Sequence, residues 1–403
     1  MVNVENLNKC SFCGMPKEDV AKGIKDVWMC NDCAEIKAGV IEDKRLVDSE
    51  KENGKCAVSN KLKILKPSEI KSELDRFVVG QDDAKRALSV AAYSHLKRIN
   101  NIEQESVKKS NLLFVGPSGS GKTYMLQKLA ECLDVPLYIG DATRLTETGY
   151  IGDDIHSLVH NLYYASGKDK ERTEQGIIFV DEFDKLSTSN NGIGSKDVAH
   201  KPVQEGLLKM VEDTEVTIPS GGGFAAIGSF PGDSSVRIST KNILFIFGGS
   251  FVGLEKSTIT ENKQDKVVGF NAVQNEVEPK GPITHSDLIE YGFIPELVGR
   301  ISLIAELKKL SKEQMRKVLL DIEGSPVSHY KKWFLEEGVL LEFDEDAVEY
   351  IIDQAEDDKI GVRGLKAVIE KGLLPLMFEV PNRIGSTIET VVVTRDLLEV
   401  KVA

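Results

Sequence analysis

The chain has 403 residues, 41% hydrophobic and 29% charged, proportions that suit a soluble globular protein of two or three domains rather than a single core. Its formal charge of −13 argues against nucleic acid as the main partner, because neutralising phosphates takes a basic surface. No apolar run approaches the roughly 20 residues that span a bilayer. The opening Met1-Val2-Asn3-Val4-Glu5-Asn6 lacks the basic and apolar regions of a secretory leader, so a cytoplasmic protein without membrane contact is expected.

Residues 1–45 hold four of the six cysteines, as Cys10-x-x-Cys13 and Cys30-x-x-Cys33 with sixteen residues between the pairs. Two such knuckles at that spacing are the pattern of a tetrahedral Zn²⁺ site. A segment this short cannot fold on an apolar core of its own. Zinc, contributing on the order of 10–16 kcal/mol to such folds, would decide whether it exists. Four thiolates leave no open position for water, so the expected role is structural. Val27-Trp28-Met29 either fills the small core or forms a binding patch. From Ile41 the composition turns polar and charged, and residues 46–64 are expected to be a linker containing a bystander thiol, Cys56.

A larger block, residues 65–307, alternates helical and strand patterns. Ala84 to Arg98 has apolar residues at helical spacing. Asn111 to Val115 is a short buried-strand pattern, followed by glycines and a helical run to Leu133. Ile177 to Val180 ends in two acids, and Ile243 to Phe247 ends in Gly248-Gly249. Such alternation predicts an α/β fold, a parallel sheet with helices on both faces. Two stretches, Ser187 to Pro202 and Pro219 to Ser235, are expected to be loops, functional or disordered. A last block, 308–403, is expected to be a smaller α+β domain. Its Ser311 and Gln314 fit a helix capping box, helical runs continue through Phe334 and from Asp344 to Ala355, and two strand-like runs, Thr387 to Val393 and Leu398 to Val402, end it.

The strongest chemical signal is Gly116-Pro117-Ser118-Gly119-Ser120-Gly121-Lys122-Thr123, with Tyr124 next. Glycines let the backbone curl so that successive N–H groups face phosphate oxygens. Lys122 supplies charge for the β/γ-phosphates, and Thr123 a hydroxyl for Mg²⁺. The pattern sits between a strand and a helix, whose positive end adds to the site. Asp181-Glu182 closes the second strand. In a parallel sheet the strand ends share one edge, so both acids are expected beside the phosphates. Asp181 then orients Mg²⁺, and Glu182 polarises the attacking water as general base.

Together these features resemble the ClpX unfoldases of the Clp/Hsp100 family, AAA+ ring ATPases, from Cys10 to about Leu376 and in unbroken motif order. The resemblance implies an ATP-driven unfoldase with a treble-clef-like N-terminal zinc domain, working as a homo-hexamer on protein substrates and adaptors. Val79-Gly80-Gln81-Asp82-Asp83-Ala84-Lys85 resembles the box preceding the nucleotide loop, which implies that Val78 and Val79 lie near the adenine. Gly149-Tyr150-Ile151-Gly152, which in an arbitrary protein would be a plain turn, matches the pore loop that grips substrate. Ile294 to Arg300 resembles the arginine-finger segment, so Arg300 would reach the ATP of a neighbouring copy. Gly361-Val362-Arg363-Gly364-Leu365 matches the sensor-2 segment, so Arg363 would contact phosphates of its own copy. Val268-Gly269-Phe270 stands where the family carries its docking loop for a ClpP-type peptidase.

Three departures bear on substrate choice. The stretch Gly221 to Phe230 has Phe224-Ala225-Ala226 in place of a basic Arg-Lys-His cluster, which implies altered preference among acidic C-terminal tags. A second pore loop is expected near Asp197 to Pro202, stiffened by the proline. No sensor-1 residue is evident at Gly248-Gly249-Ser250. Two alternatives stand beside this reading: a remodeller that works without a peptidase, and a DNA-directed AAA+ ATPase, which the acidic balance and Tyr150 disfavour. An HslU-type unfoldase would lack the zinc knuckles.

Overall fold

In the computed structural model the chain forms two compact units, Met1–Lys61 and Leu62–Ala403. The structure describes residues 20–22, 28–30, 62–100, 109–146, 153–188, 197–218, 235–254, 281–357, 361–382 and 389–398. In the first unit these form an antiparallel hairpin of β1 (Val20–Lys22) and β2 (Trp28–Cys30), with Val20 paired to Cys30. Cys10, Cys13 and Cys33 lie outside the described residues, and only the backbone of Cys30 lies within them.

The second unit opens with α1 (Pro67–Phe77) and α2 (Asp82–Asn100). There follow β3 (Asn111–Val115), α3 (Lys122–Leu133), β4 (Leu137–Asp141), α4 (Ser157–Ala165), α5 (Lys170–Glu174) and β5 (Ile177–Asp181). Next come α6 (Asp197–Glu212), a ribbon of β6 (Glu215–Ile218) and β7 (Val236–Ser239), then β8 (Leu244–Gly249). The large lobe ends with α7 (His285–Tyr291), α8 (Pro295–Val298) and β9 (Ile301–Glu306).

Five of these strands make one parallel sheet in the order β9-β3-β8-β5-β4. Residues 112–115, 177–180 and 244–247 of its central strands are continuously apolar because both faces are covered. Leu112, Phe114, Ile177, Phe179, Leu244 and Ile246 face a core shared with Ile70, Leu88 and Leu126 of α1 to α3. The alternate residues Leu113, Val115, Ile178, Val180, Phe245 and Phe247 face Leu158 of α4 and Leu207 of α6. The strand period of two divides the chain between two cores.

The small lobe is built from α9 (Lys312–Leu320), α10 (Pro326–Glu336), β10 (Val339–Phe343), α11 (Glu345–Asp357), α12 (Val362–Glu379), β11 (Glu389–Val393) and α13 (Arg395–Leu398). Its third core includes Leu319, Phe334, Ile351, Leu365 and Leu373. The capping box at α9 forms as expected: Gln314 N–H donates to Ser311 Oγ at 3.2 Å and Ser311 N–H to Gln314 Oε1 at 3.0 Å. Among the described residues, no helix is long and apolar enough to cross a membrane.

Several expectations need correcting. Asp197 to Pro202 is not loop but the first part of α6, with Pro202 inside the helix. The buried Val203, Leu207, Met210 and Val211, at helical spacing, hold that helix against the sheet and override the proline's missing N–H. Leu398 closes the short helix α13 rather than opening a strand. The stretch 219–234 lies outside the described residues, but β6 and β7 pair antiparallel on either side of it. Strands β4, β9 and β10 escaped the pattern reading.

Beneath the sheet end opposite the phosphate loop lies a buried basic group of residues. His95 is 3% exposed, and its Nε2 lies 2.9 Å from the Gln175 carbonyl, which fixes the Nε2–H tautomer. Burial lowers its pKa to about 3, and the neighbouring Arg98 and Lys109 push the same way. Lys109 donates to the Val211 and Thr240 carbonyls, each at 3.0 Å, and burial brings its pKa down to about 7. His95 is therefore neutral when folded, whereas the unfolded chain takes up a proton below its ordinary value of 6.5. The folded state loses stability as pH falls from 6.5 toward 3. Compared by denaturant melts, the parent should lose more stability than His95→Gln when pH is lowered from about 7 to 4.5; parallel losses would show that His95 is not held neutral.

Candidate functional site

The carboxyl ends of β3, β8 and β5 open onto a cleft of about 440 Å³. It is lined by Ser118, Gly119, Ser120, Gly121, Lys122, Thr123 and Tyr124 of the phosphate loop and helix α3, with Asp181 and Glu182 after β5. Arg363, from the start of α12 in the small lobe, lines it too. The sequence separates these groups by up to 245 positions (363 minus 118), and the sheet topology brings them together. Ligand sites in open α/β sheets form at this edge, where neighbouring strand connections diverge.

The phosphate loop depends on left-handed glycines, with φ of 76° at Gly119 and 94° at Gly121. Gly121 caps α3, so the positive end of a twelve-residue helix faces the cleft. Lys122 Nζ donates to the Gly116 and Pro117 carbonyls at 2.6 and 3.0 Å. Burial lowers its pKa, while the facing Asp181 and Asp184 oppose that shift and Arg363 adds to it. A phosphate chain would therefore relieve a partly desolvated cation. Thr123 Oγ1 donates to Asp181 Oδ2 at 3.2 Å. That hydroxyl–carboxylate pair is an oxygen donor set suited to a hard ion such as Mg²⁺.

Glu182 sits in the left-handed region at φ 55°, an uncommon conformation for a residue with a side chain. Its backbone N–H donates to Asp181 Oδ1 at 2.9 Å, which helps to hold the turn. Glu182 lines the cleft at the end of the strand.

Three further groups were not singled out from the sequence. Ser250, Asp184 and Lys185 all line the cleft. Asp184 is 5% exposed and accepts the Ser250 N–H at 3.2 Å and the Ser250 Oγ–H at 3.0 Å. Close approaches on both sides account for the glycine pair ending β8. A Cβ on Gly249 would stand 2.6 Å from Asp184 Oδ1, and one on Gly248 would stand 2.5 Å from the Phe179 ring. The available signal was positional: β8 lies between β3 and β5, so the residue after it must face the phosphates.

Other expected residues fall elsewhere. Gly116 and Pro117 form the floor beneath Lys122. Val78 is buried in the large-lobe core, while Val79 packs against the small-lobe core, so the pair straddles the junction between lobes. Arg300 is not in this cleft. It precedes β9, whose Ile301 pairs with Asn111 at the start of β3. It is thus about 16 Å of strand away from Gly116, at about 3.3 Å per residue. Tyr150, Ile151, Val268, Gly269 and Phe270 lie outside the described residues.

A family model described as "AAA domain (Cdc48 subfamily)" matches residues 107–304, and one described as "C-terminal, D2-small domain, of ClpB protein" matches residues 310–391. The chain is also similar to the ATP-dependent Clp protease ATP-binding subunit ClpX of Treponema denticola. The two are 37% identical over 386 residues, covering 93% of this chain and 90% of that protein. With the phosphate loop, the paired acids and the small-lobe arginine meeting in one cleft, this likeness over nearly the whole length shows that the chain belongs to the ClpX family of AAA+ ATPases.

Proposed function

We propose that the chain is an ATP-driven protein unfoldase and translocase that threads substrates through a homo-hexameric ring in the cytoplasm. The observation that carries this reading is the cleft itself. A phosphate loop and the Glu182 side chain on one lobe line it together with an arginine from the other. Thr123 and Asp181 would hold Mg²⁺, which neutralises charge on the β- and γ-phosphates. Lys122 stabilises the same oxygens, and Glu182 orients and polarises the attacking water. Arg300 completes the site of the neighbouring copy, since its own cleft lies at the opposite end of the sheet. Arg363 carries the change in phosphate contact to the small lobe.

Tyr150 and Ile151 grip an extended polypeptide by apolar contact, and the loop moves along the ring axis as the lobes rotate. Val268-Gly269-Phe270 docks the ring on a ClpP-type peptidase. Residues 1–45 form a zinc domain that receives substrates and adaptors, joined by the linker 46–64 to a large domain, 65–307, and a small domain, 308–403. Cys10, Cys13, Cys30 and Cys33 would hold Zn²⁺. Their thiolate set suits it, and the hairpin ends on Cys30, the first cysteine of the second pair.

Glu182→Gln should retain ATP binding but lose hydrolysis by about 10²- to 10⁴-fold, the usual contribution of a positioned base. ATP binding with near-parental turnover would remove Glu182 from that role. Tyr150→Ala should hydrolyse ATP yet fail to unfold a tagged fluorescent protein; unfolding at the parental rate would overturn the pore assignment. Loss of fluorescence by the parent, followed by degradation once a ClpP-type peptidase is added, tests the docking loop. Unfolding without degradation would instead favour a remodeller that needs no peptidase.

A further inference from the structure

Arg300 is held by its own chain. Its Nε–H and Nη2–H both donate to Glu212 Oε1, at 3.0 and 2.5 Å. Two side chains, 55% and 43% exposed, would ordinarily gain little from such a pair, because water screens it and both must be ordered. Here the ordering is already supplied by the backbone on each side. The Arg300 carbonyl accepts the side-chain N–H of Asn111, which is 2% exposed, at 2.9 Å. The Arg300 N–H closes the turn of α8 on the Leu297 carbonyl at 3.0 Å. Beyond Ile301 the pairing with β3 shifts register, which sets the strand off from the turn.

Glu212 is the last residue of α6, and Lys109 Nζ binds the preceding carbonyl, that of Val211, at 3.0 Å. Both partners are therefore anchored on rigid elements, and the ion pair fixes the direction of the guanidinium. Geometry also decides which edge is used. Glu212 takes the Nε/Nη2 edge through a single oxygen and leaves both Nη1 hydrogens for another acceptor.

We propose that Glu212 is a positioning residue for Arg300, holding the guanidinium pre-oriented so that its Nη1 edge meets the phosphate bound by a neighbouring copy. This rests on the reading of Arg300 as the finger that acts between copies. A finger that arrives already ordered avoids fixing a long side chain at the moment of reaction.

The test is a double-mutant cycle on the full-length chain, reading steady-state ATP hydrolysis, ATP affinity, ring assembly and thermal stability. Glu212→Gln should lower kcat by about tenfold, as expected when one contact orienting a transition-state cation is lost. ATP affinity, assembly and Tm should stay at parental values, and Glu212→Asp should recover part of the rate. Adding Glu212→Gln to Arg300→Ala should cost nothing further, because the positioned group is already gone. If Arg300→Ala hydrolyses ATP at the parental rate, the finger reading itself fails. If Arg300→Ala is inactive but Glu212→Gln is unchanged, or faster, the finger stands and the positioning role is overturned. A fall in rate that tracks a fall in Tm or in assembly also overturns it.

Discussion

The phosphate loop and the hinge between the lobes touch each other with no room to spare. A Cβ on Gly116 would lie 2.5 Å from the Leu307 carbonyl oxygen, and the Leu307 N–H donates to the Val115 carbonyl at 2.7 Å. The first residue of the nucleotide loop is thus packed against the first residue after β9, where the chain leaves the large lobe. One residue on, the Gln81 carboxamide pairs with both backbone groups of Lys308, donating to its carbonyl at 2.7 Å and accepting its N–H at 3.0 Å. Gly80 and Gln81 reach that position through left-handed backbone, φ 65° and 55°. On the far side of the loop, a Cβ on Gly361 would lie 3.3 Å from the Gly119 carbonyl oxygen. Displacements of the loop away from the cleft therefore press on the hinge and on the start of α12.

This close packing makes a nucleotide site mechanical. Cores respond to small displacements by switching between packed arrangements rather than by yielding continuously. The lobes keep separate apolar cores, bridged by Val79, and among the described residues polar contacts help to set their angle: Gln81 on Lys308, Arg76 on Glu323 at 2.6 Å, and Arg363 over the cleft. A charge that appears or leaves between Lys122 and Arg363 acts directly on that set. The opposite end of the sheet, with Arg300 on Glu212, lies away from this hinge.

The sequence made the site more legible than the fold. Gly116 to Thr123 and Asp181-Glu182 were readable because their chemistry demands fixed residue types at fixed offsets from a strand. Ser250 was not, because its role follows from β8 lying between β3 and β5, an order that no local pattern encodes. Strands β4 and β9 were missed for a related reason. Leu137 to Asp141 and Ile301 to Glu306 sit at the sheet edges and mix apolar with polar residues, so they lack the unbroken apolar run of the central strands. The assignment of Pro202 to a loop failed because local propensity was weighed without the four buried apolar residues that follow it. The resemblance carried Arg300 and Arg363, which pattern alone would have left as surface charges.

The measurement that bears most directly on this account is the distance between the lobes as the nucleotide changes. Fluorescent labels at two exposed residues, Arg86 on the large lobe and Lys332 on the small one, would report it in a Glu182→Gln chain that holds ATP without turnover. A distance that differs between ATP and ADP, and a difference abolished by Arg363→Ala, is the predicted result. The same distance in both nucleotide states would contradict the claim that the cleft drives the hinge.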